Sequence, residues 1–388
     1  MYPNLYLYIY LIIFLLMVVF DAGKASKKSY NQTYKILFLF LAFLVAFRYY
    51  SGMDTPQYMN MYELIPTIDQ LTALDFVIYR SQPLFILLNS VCKSICDDFV
   101  LVQIIQASLF YHSLYRLLTK LELKKFYILY IFFGYMYLAE MSALRESLGL
   151  AFCFYAIPYF MERKWIPYYI LSFIGFMFHS SMIIFFVFPF VRIVERLSLR
   201  NALVIIILSV IVPMAFSALI KTGVSIADNS ITRYGNEDGE SGIKLSGILY
   251  NLSYLFIVIY FVIIRNKEHS FNESWKKDFI YLGGIVYPMI SLVGALYFPI
   301  MYRLTAHFSI FYYFTITIVL MGIKRNQLVK AIFLIIVFYS PTIRFISSRT
   351  QGNEAYLTSY CSVFSSNEDK AQMKRMMESV SGDYIRKD

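Results

Sequence analysis

The sequence predicts an all-α fold: a polytopic integral membrane helical bundle of about 11–12 membrane segments, some short or re-entrant. Three observations carry that expectation. Of the 388 residues, 59% are hydrophobic and 15% charged, with a mean hydropathy of +0.58. A soluble domain is about a quarter charged, so this chain has too few charges to cover a water-facing surface. Apolar runs recur evenly along the chain, near the roughly 17–25 residues that cross a bilayer. Lys and Arg collect in particular connections between those runs, as orientation signals do.

The runs are 4–20, 34–47, 83–95, 99–118, 126–138, 144–161, 166–191, 202–220, 248–264, 279–298, 304–323 and 329–346. The first lacks a basic leader and a following Ala-x-Ala site, so it reads as an uncleaved anchor. Connections 21–35, 116–125, 161–164, 192–200, 265–278 and 324–330 hold 20 Lys and Arg, against 7 in 48–80, 139–146, 221–245 and 298–303. The second set also holds ten acids. The positive-inside rule puts the first set in the cytoplasm and the N-terminus outside. The basic connections all fall on one side only if 83–95 does not cross and 166–191 is a hairpin of two short halves. His179-Ser180-Ser181 sits at the middle of 166–191, where a broken helix needs cover from protein or a water-filled cavity. Residues 1–346 therefore form a membrane domain. Residues 347–388 form an extramembrane tail, and Ser365-Ser366-Asn367-Glu368 resembles the cap of a short amphipathic helix.

The net charge of +10 is spread between apolar runs, which points to membrane orientation and not to nucleic acid. Aromatics make up 19% of the chain, with 35 Tyr suited to the membrane–water interface. Cys92, Cys96, Cys153 and Cys361 form no disulfide framework and read as small apolar residues. There is no P-loop, glycine-rich dinucleotide turn or His-Glu-x-x-His motif, so chemistry driven by ATP within this chain is not expected.

Ionisable groups in apolar segments are costly and mark function by default. Ser142-Ala-Leu-Arg145-Glu146-Ser147 opens run 144–161 on the outer side. Arg145 suits bidentate binding of a phosphate or diphosphate. Glu146 suits a general base or a partner for Arg145; the plainer alternative is an ion pair that anchors a helix end. His179, with Ser180 beside it, suits proton transfer from a sugar hydroxyl, or else plugs a helix break. Tyr302-Arg303 opens run 304–323, with His307 one turn on along the same face. Asp54, in the turn between Gly52 and Pro56, either acts as a base near Tyr58 or closes an Asx turn. Arg48, Arg80 and Arg344 complete a set of outer-side cations, although Arg344 also fits a snorkelling role. Asp97-Asp98 reads as a helix cap, and His112 and His269 as incidental. A cavity lined by Arg, His and Tyr suits a diphosphate-linked sugar.

These pieces resemble the EpsG family of Wzy-like polysaccharide polymerases. The resemblance rests on Phe47-Arg48, Gly52-Met-Asp54 with Tyr58, Gln82-Pro83-Leu-Phe with Leu88-Asn89, Ala143-Leu-Arg145-Glu-Ser-Leu, Phe178-His179-Ser180-Ser181 and Tyr302-Arg303, over about residues 30–320. The chain departs from the usual Gly-Thr-Asp-Tyr pattern at Met53 and Thr55, has Gln82 in place of Glu, and has Glu146 in place of Gln. The resemblance implies a multi-pass protein of the bacterial inner membrane, with a GT-C-like bundle among the arrangements it permits. It implies extracytoplasmic polymerisation of undecaprenyl-diphosphate-linked oligosaccharide into capsule, exopolysaccharide or O-antigen, with a flippase and a chain-length regulator as partners. The acceptor hydroxyl would attack the donor anomeric carbon and the lipid diphosphate would leave. No cofactor and no metal are expected, because Arg neutralises the diphosphate. Two other readings stay open: a membrane glycosyltransferase using a lipid-monophosphate sugar, and a flippase or transporter of lipid-linked oligosaccharide. An acyltransferase is a third, but the chain shows no cytoplasmic donor site.

Overall fold

The computed structural model describes residues 2–3, 5–23, 26–52, 54–79, 81–121, 125–135, 142–193, 198–208, 211, 245–259, 274–296, 299–322 and 359–385. They are mostly helical and fall into two compact units, one of residues 1–186 with 340–388 and one of residues 187–339.

The first unit begins with α1 (Leu5–Leu16), which continues directly into a π-helical turn, Met17–Ala22. α2 (Lys27–Ala46) starts at Ser26, whose side chain accepts from Ser29 N. α3 (Thr55–Leu64) and the one-turn α4 (Asp75–Ile78) precede α5 (Pro83–Ile95). α6 (Val100–Lys120), α7 (Lys125–Tyr135), α8 (Leu144–Met161) and α9 (Trp165–Phe178) follow. Asp98 Oδ1 accepts from Val100 N at 2.8 Å just before α6, whose N-cap position is Phe99 and carries no side-chain cap bond.

The helices of this unit meet at two ends. At one end Asp21 accepts from Tyr30 Oη and Tyr127 N, each at 2.7 Å, while Glu162 pairs with Lys120 and with Lys164. The two lysines hold the Glu162 carboxyl down, to about 2. At the other end, strands β1 (Tyr2–Pro3) and β2 (Ser359–Tyr360) pair antiparallel, and Arg48 bridges Ser362. Tyr49 N donates to Cys361 O at 2.7 Å, and Val363 N donates to Phe47 O at 2.9 Å. The tail helix of this unit (Asn367–Ile385) opens with a reciprocal cap. Asp369 N donates to Ser366 Oγ, and that hydroxyl donates back to Asp369 Oδ2. Met373 and Met377 on this helix pack with Tyr50 and Met59.

Both ends of α5 lie at that second end. Gln82, just before α5, bonds Arg145; Lys93 in its last turn donates to Tyr62 O, Glu63 O and Ile65 O. At 13 residues α5 is about 20 Å long, short of the roughly 30 Å hydrocarbon core.

Run 166–191 breaks at His179, the C-cap of α9, where φ and ψ turn extended at −153° and 125°. The chain then doubles back as a 3₁₀ stretch, Ser180–Phe186. Tyr168 Oη donates to Phe185 O at 2.5 Å and Tyr169 stacks on Phe186, which closes the hairpin.

The second unit holds a 3₁₀ segment, Phe188–Ile193, then α10 over 199–208, α11 (Leu245–Val258), α12 (Ser274–Tyr281), α13 (Tyr287–Leu296) and α14 (Pro299–Gly322). A π-helical stretch, Leu282–Val286, joins α12 to α13. A Cβ on Gly283 would lie 2.0 Å from Phe311 O, so only glycine lets α14 lie against this stretch. Arg192 Nε and the fully buried Asp278 carboxylate pair at 2.7 Å.

Large apolar side chains are exposed along the first helices, and several polar ones are buried. Ile36, Leu39, Phe40 and Phe43 on α2 are exposed, as are Leu11, Ile12, Leu15 and Val19 on the first helical run. Arg48, Gln103, Gln106, Ser113 and Ser147 are buried. Among the described residues, no helix is long and apolar enough to cross a membrane.

Candidate functional site

The site grows from the first turn of α8. Ala143 occupies its N-cap position without a side-chain cap, and Arg145 and Glu146 fall in the first turn. The positive end of a helix dipole favours Glu146 and disfavours a cation, by about 0.3–1 kcal/mol at an exposed end. Arg145 is held there by neighbours. Its Nη1 donates to Ser81 Oγ and to Gln82 Oε1, both at 3.1 Å, and its guanidinium lies 5.6 Å from the centre of the Tyr58 ring. Arg145 Nε is buried and, among the described residues, has no hydrogen-bond partner. A buried donor left in that condition costs about 1–3 kcal/mol. It is a donor in place for an incoming oxygen, at a helix end that favours anions.

Gly52 and Pro56 bring Asp54 and Tyr58 to Arg145. Gly52 has φ of +113°, and a Cβ there would meet the Cα and Oγ of Ser142 at 3.0 Å. The loop therefore lies directly on the residue that leads into α8. Thr55 Oγ1 donates to Ser51 O, and Pro56 starts α3. Asp54 stands at the N-cap position of α3 without a side-chain cap bond, so its carboxylate does not close the Asx turn. Burial pushes the Tyr58 hydroxyl up; the Arg145 charge draws it down and the Asp54 charge pushes it up again. Asp54, Tyr58 and Arg145 thus share one electrostatic environment.

His179 reaches the same end by helix pairing. α8 and α9 are antiparallel, and a Cβ on Gly149 would lie 3.0 Å from Gly175 O. Arg145 is four residues before Gly149 and His179 four after Gly175, so each lies about 6 Å along its helix toward that end. Phe178 packs in one apolar cluster with Tyr58, Phe85, Leu144 and Leu148. His179 Nδ1 bonds Ser181 Oγ at 2.5 Å. Ser180 is exposed beside it.

Asp54, Tyr58, Arg145, Glu146, His179 and Ser180 therefore occupy one end of the first unit. Arg145 takes Gln82, Ser81 and Tyr58 as its partners in addition to any pairing with Glu146. Arg48 differs from the expected substrate-facing cation: it is 1% exposed, and its Nη1 donates to Val45 O and to Gln106 Oε1. Tyr302, Arg303 and His307 lie along α14 in the second unit, with His307 buried. Arg80 and Arg344 lie outside the described residues. Sequence reasoning did not single out Ser81 or Gln106, and it gave Ser147 no role although that residue closes the Ser142–Ser147 motif. An amide inside apolar run 99–118 was the signal available for Gln106. Among the described residues, no group of three His, Cys, Asp or Glu could hold a metal ion.

The model of the EpsG family matches residues 31–361. Among curated proteins and solved structures, nothing matches.

Proposed function

The chain belongs to the EpsG family, and from that membership we propose that it polymerises lipid-diphosphate-linked sugar repeat units at a membrane surface. The observation that carries this reading is Arg145: a guanidinium at the head of α8, held by Ser81, Gln82 and Tyr58, with a buried Nε that has no hydrogen-bond partner among the described residues. A diphosphate leaving group needs such a donor most as the bond to the sugar breaks and negative charge collects on the departing oxygen.

In this reaction the acceptor hydroxyl attacks the donor anomeric carbon. A new glycosidic C–O bond forms, the C–O bond to the diphosphate breaks, and the lipid diphosphate leaves with the electron pair. The hydroxyl proton passes to a base. Asp54, Glu146 and His179 are the groups at this end suited to accept it. His179 serves at Nε2 in the tautomer whose Nδ1–H donates to Ser181. Tyr58 differs from the expected sugar-facing ring: it is buried between the Arg145 guanidinium and Phe85, so it supports Arg145 and leaves no open face for a sugar.

A membrane setting is part of the proposal. The apolar exposed stripes on α1 and α2, over buried Gln, Arg and Ser, support lipid contact. Helix α1 and its π-helical continuation together run roughly 25 Å without a break. The family membership suggests the bacterial inner membrane, and the distribution of Lys and Arg supports placing the site on its outer side. The undecaprenyl lipid, the flippase and the chain-length regulator belong to the same proposal.

The test uses purified protein in lipid nanodiscs with lipid-diphosphate-linked repeat units. The wild type should lengthen chains. Arg145→Ala should lower turnover roughly a hundredfold or more, and Arg145→Lys should recover little, because ammonium lacks the planar fork. Wild-type chain growth in Arg145→Ala would remove Arg145 from the mechanism. Units that cross a bilayer in liposomes and are never joined would favour the flippase reading.

A further inference from the structure

A continuous line of buried polar groups lies behind Arg145. Arg48 Nη1 donates to Gln106 Oε1 at 3.3 Å. Gln106 Nε2 donates to Ser147 Oγ at 2.7 Å, and Ser147 Oγ donates to Leu144 O at 3.0 Å. Ser147 N in turn donates to Ala143 O at 2.9 Å. Arg48 is 1% exposed, Gln106 1% and Ser147 0%, so none of the three is available to a substrate as it stands. The line crosses three helices, from the end of α2 through α6 into the first turn of α8. That first turn is the one that carries Arg145.

Nothing in the apolar packing requires this arrangement. Buried polar groups are costly unless satisfied, and a satisfied network rigidifies what it joins. The N-cap position of α8 carries no side-chain bond, so the buried line adds a polar tie to a turn that Leu144 anchors by apolar packing and Arg145 by its contacts with Ser81 and Gln82. The amide of Gln106 can link both neighbours at once, since its oxygen accepts from Arg48 while its nitrogen donates to Ser147. A Leu at 106 would fill similar space and join nothing.

We infer that Arg48, Gln106 and Ser147 form a positioning relay that fixes the first turn of α8 and so sets where the Arg145 guanidinium points. The inference rests on the polymerase reading for its effect on catalysis, and on geometry alone for its effect on α8. Arg48 is then a positioning residue and not a substrate ligand. The guanidinium of Arg145 keeps its charge when the relay is cut, so attraction of a diphosphate largely persists while alignment with the departing oxygen is lost. That loss falls on kcat more than on KM.

Two single variants, Gln106→Leu and Ser147→Ala, and their double are compared with wild type in nanodiscs by two readouts. Hydrogen exchange should accelerate at amides 144–147 and stay unchanged in α9 (Trp165–Phe178). Chain elongation should lose roughly tenfold to a hundredfold in kcat with KM within about twofold, and the double should be no slower than the slower single. Wild-type exchange at 144–147 in both singles overturns the relay, whatever the protein does to sugars. Faster exchange with wild-type kcat overturns its role in positioning Arg145, as do losses that multiply in the double. If wild-type protein joins no units at all, the polymerase reading fails, and exchange alone decides the relay.

Discussion

At the scale of single residues, the structure separates two kinds of information in the sequence. Arg145 was legible because an ionisable group at the mouth of an apolar run is expensive and needs a reason. Asp54 and Tyr58 were legible because a Gly and a Pro fix the turn that holds them. Arg48 was visible by the same logic as Arg145, yet it is closed inside the bundle. Charge and position along a run do not say whether a guanidinium faces a cavity or a neighbouring amide; that depends on Gln106, 58 residues away. Gly52 yields the sharpest residue-level expectation. Its φ of +113° and its contact with Ser142 exclude a side chain. Gly52→Val should destabilise the fold by about 1–3 kcal/mol and impair elongation by moving Asp54 and Tyr58 off Arg145. Thermal unfolding in detergent, alongside chain growth, measures both, and an unchanged midpoint would contradict the strain.

At the scale of elements, the apolar runs mapped closely onto helices where both boundaries carry a strong signal. Runs 83–95 and 144–161 coincide with α5 and α8, and the polar triplet at His179 marks the end of α9. α2 begins at Lys27, seven residues before its apolar run, because Ser26 caps a polar first stretch that hydropathy does not register. The α8–α9 crossing was not legible. It depends on Gly149 and Gly175, whose value lies in having no side chain. Gly149→Leu should push Met182 and the Gly175 carbonyl away, splay the helices and separate His179 from Arg145. The expected result is a lower unfolding temperature and loss of chain growth, with Gly149→Ala milder. Equal stability for Leu and wild type would show that the crossing tolerates expansion.

At the scale of the whole molecule, the all-α character followed from hydropathy, and the break of 166–191 at His179 from its polar triplet. The pairing of residues 2–3 with 359–360 did not, since two short strands among apolar runs leave no periodic signature. The two ends of the first unit give a test of orientation. In a background without native cysteines, a Cys at the exposed Gln57 should react with a membrane-impermeant maleimide from outside intact cells, and a Cys at the exposed Arg163 only after lysis. Labelling of both from one side would refute the proposed membrane arrangement.

The contacts of residues 359–363 also bear on when the protein becomes competent during its own synthesis. Tyr360 Oη reaches Leu44 O across 316 residues, and Cys361 N reaches Ser51 Oγ across 310. At roughly 5–20 residues per second, a ribosome needs about 15–60 s to travel that far. Through that interval the segment leading to Asp54 stands without the backbone partners that hold it in the finished fold. A half-made chain therefore has Arg145 but not the anchored loop that faces it, and assembly of the site waits for the tail.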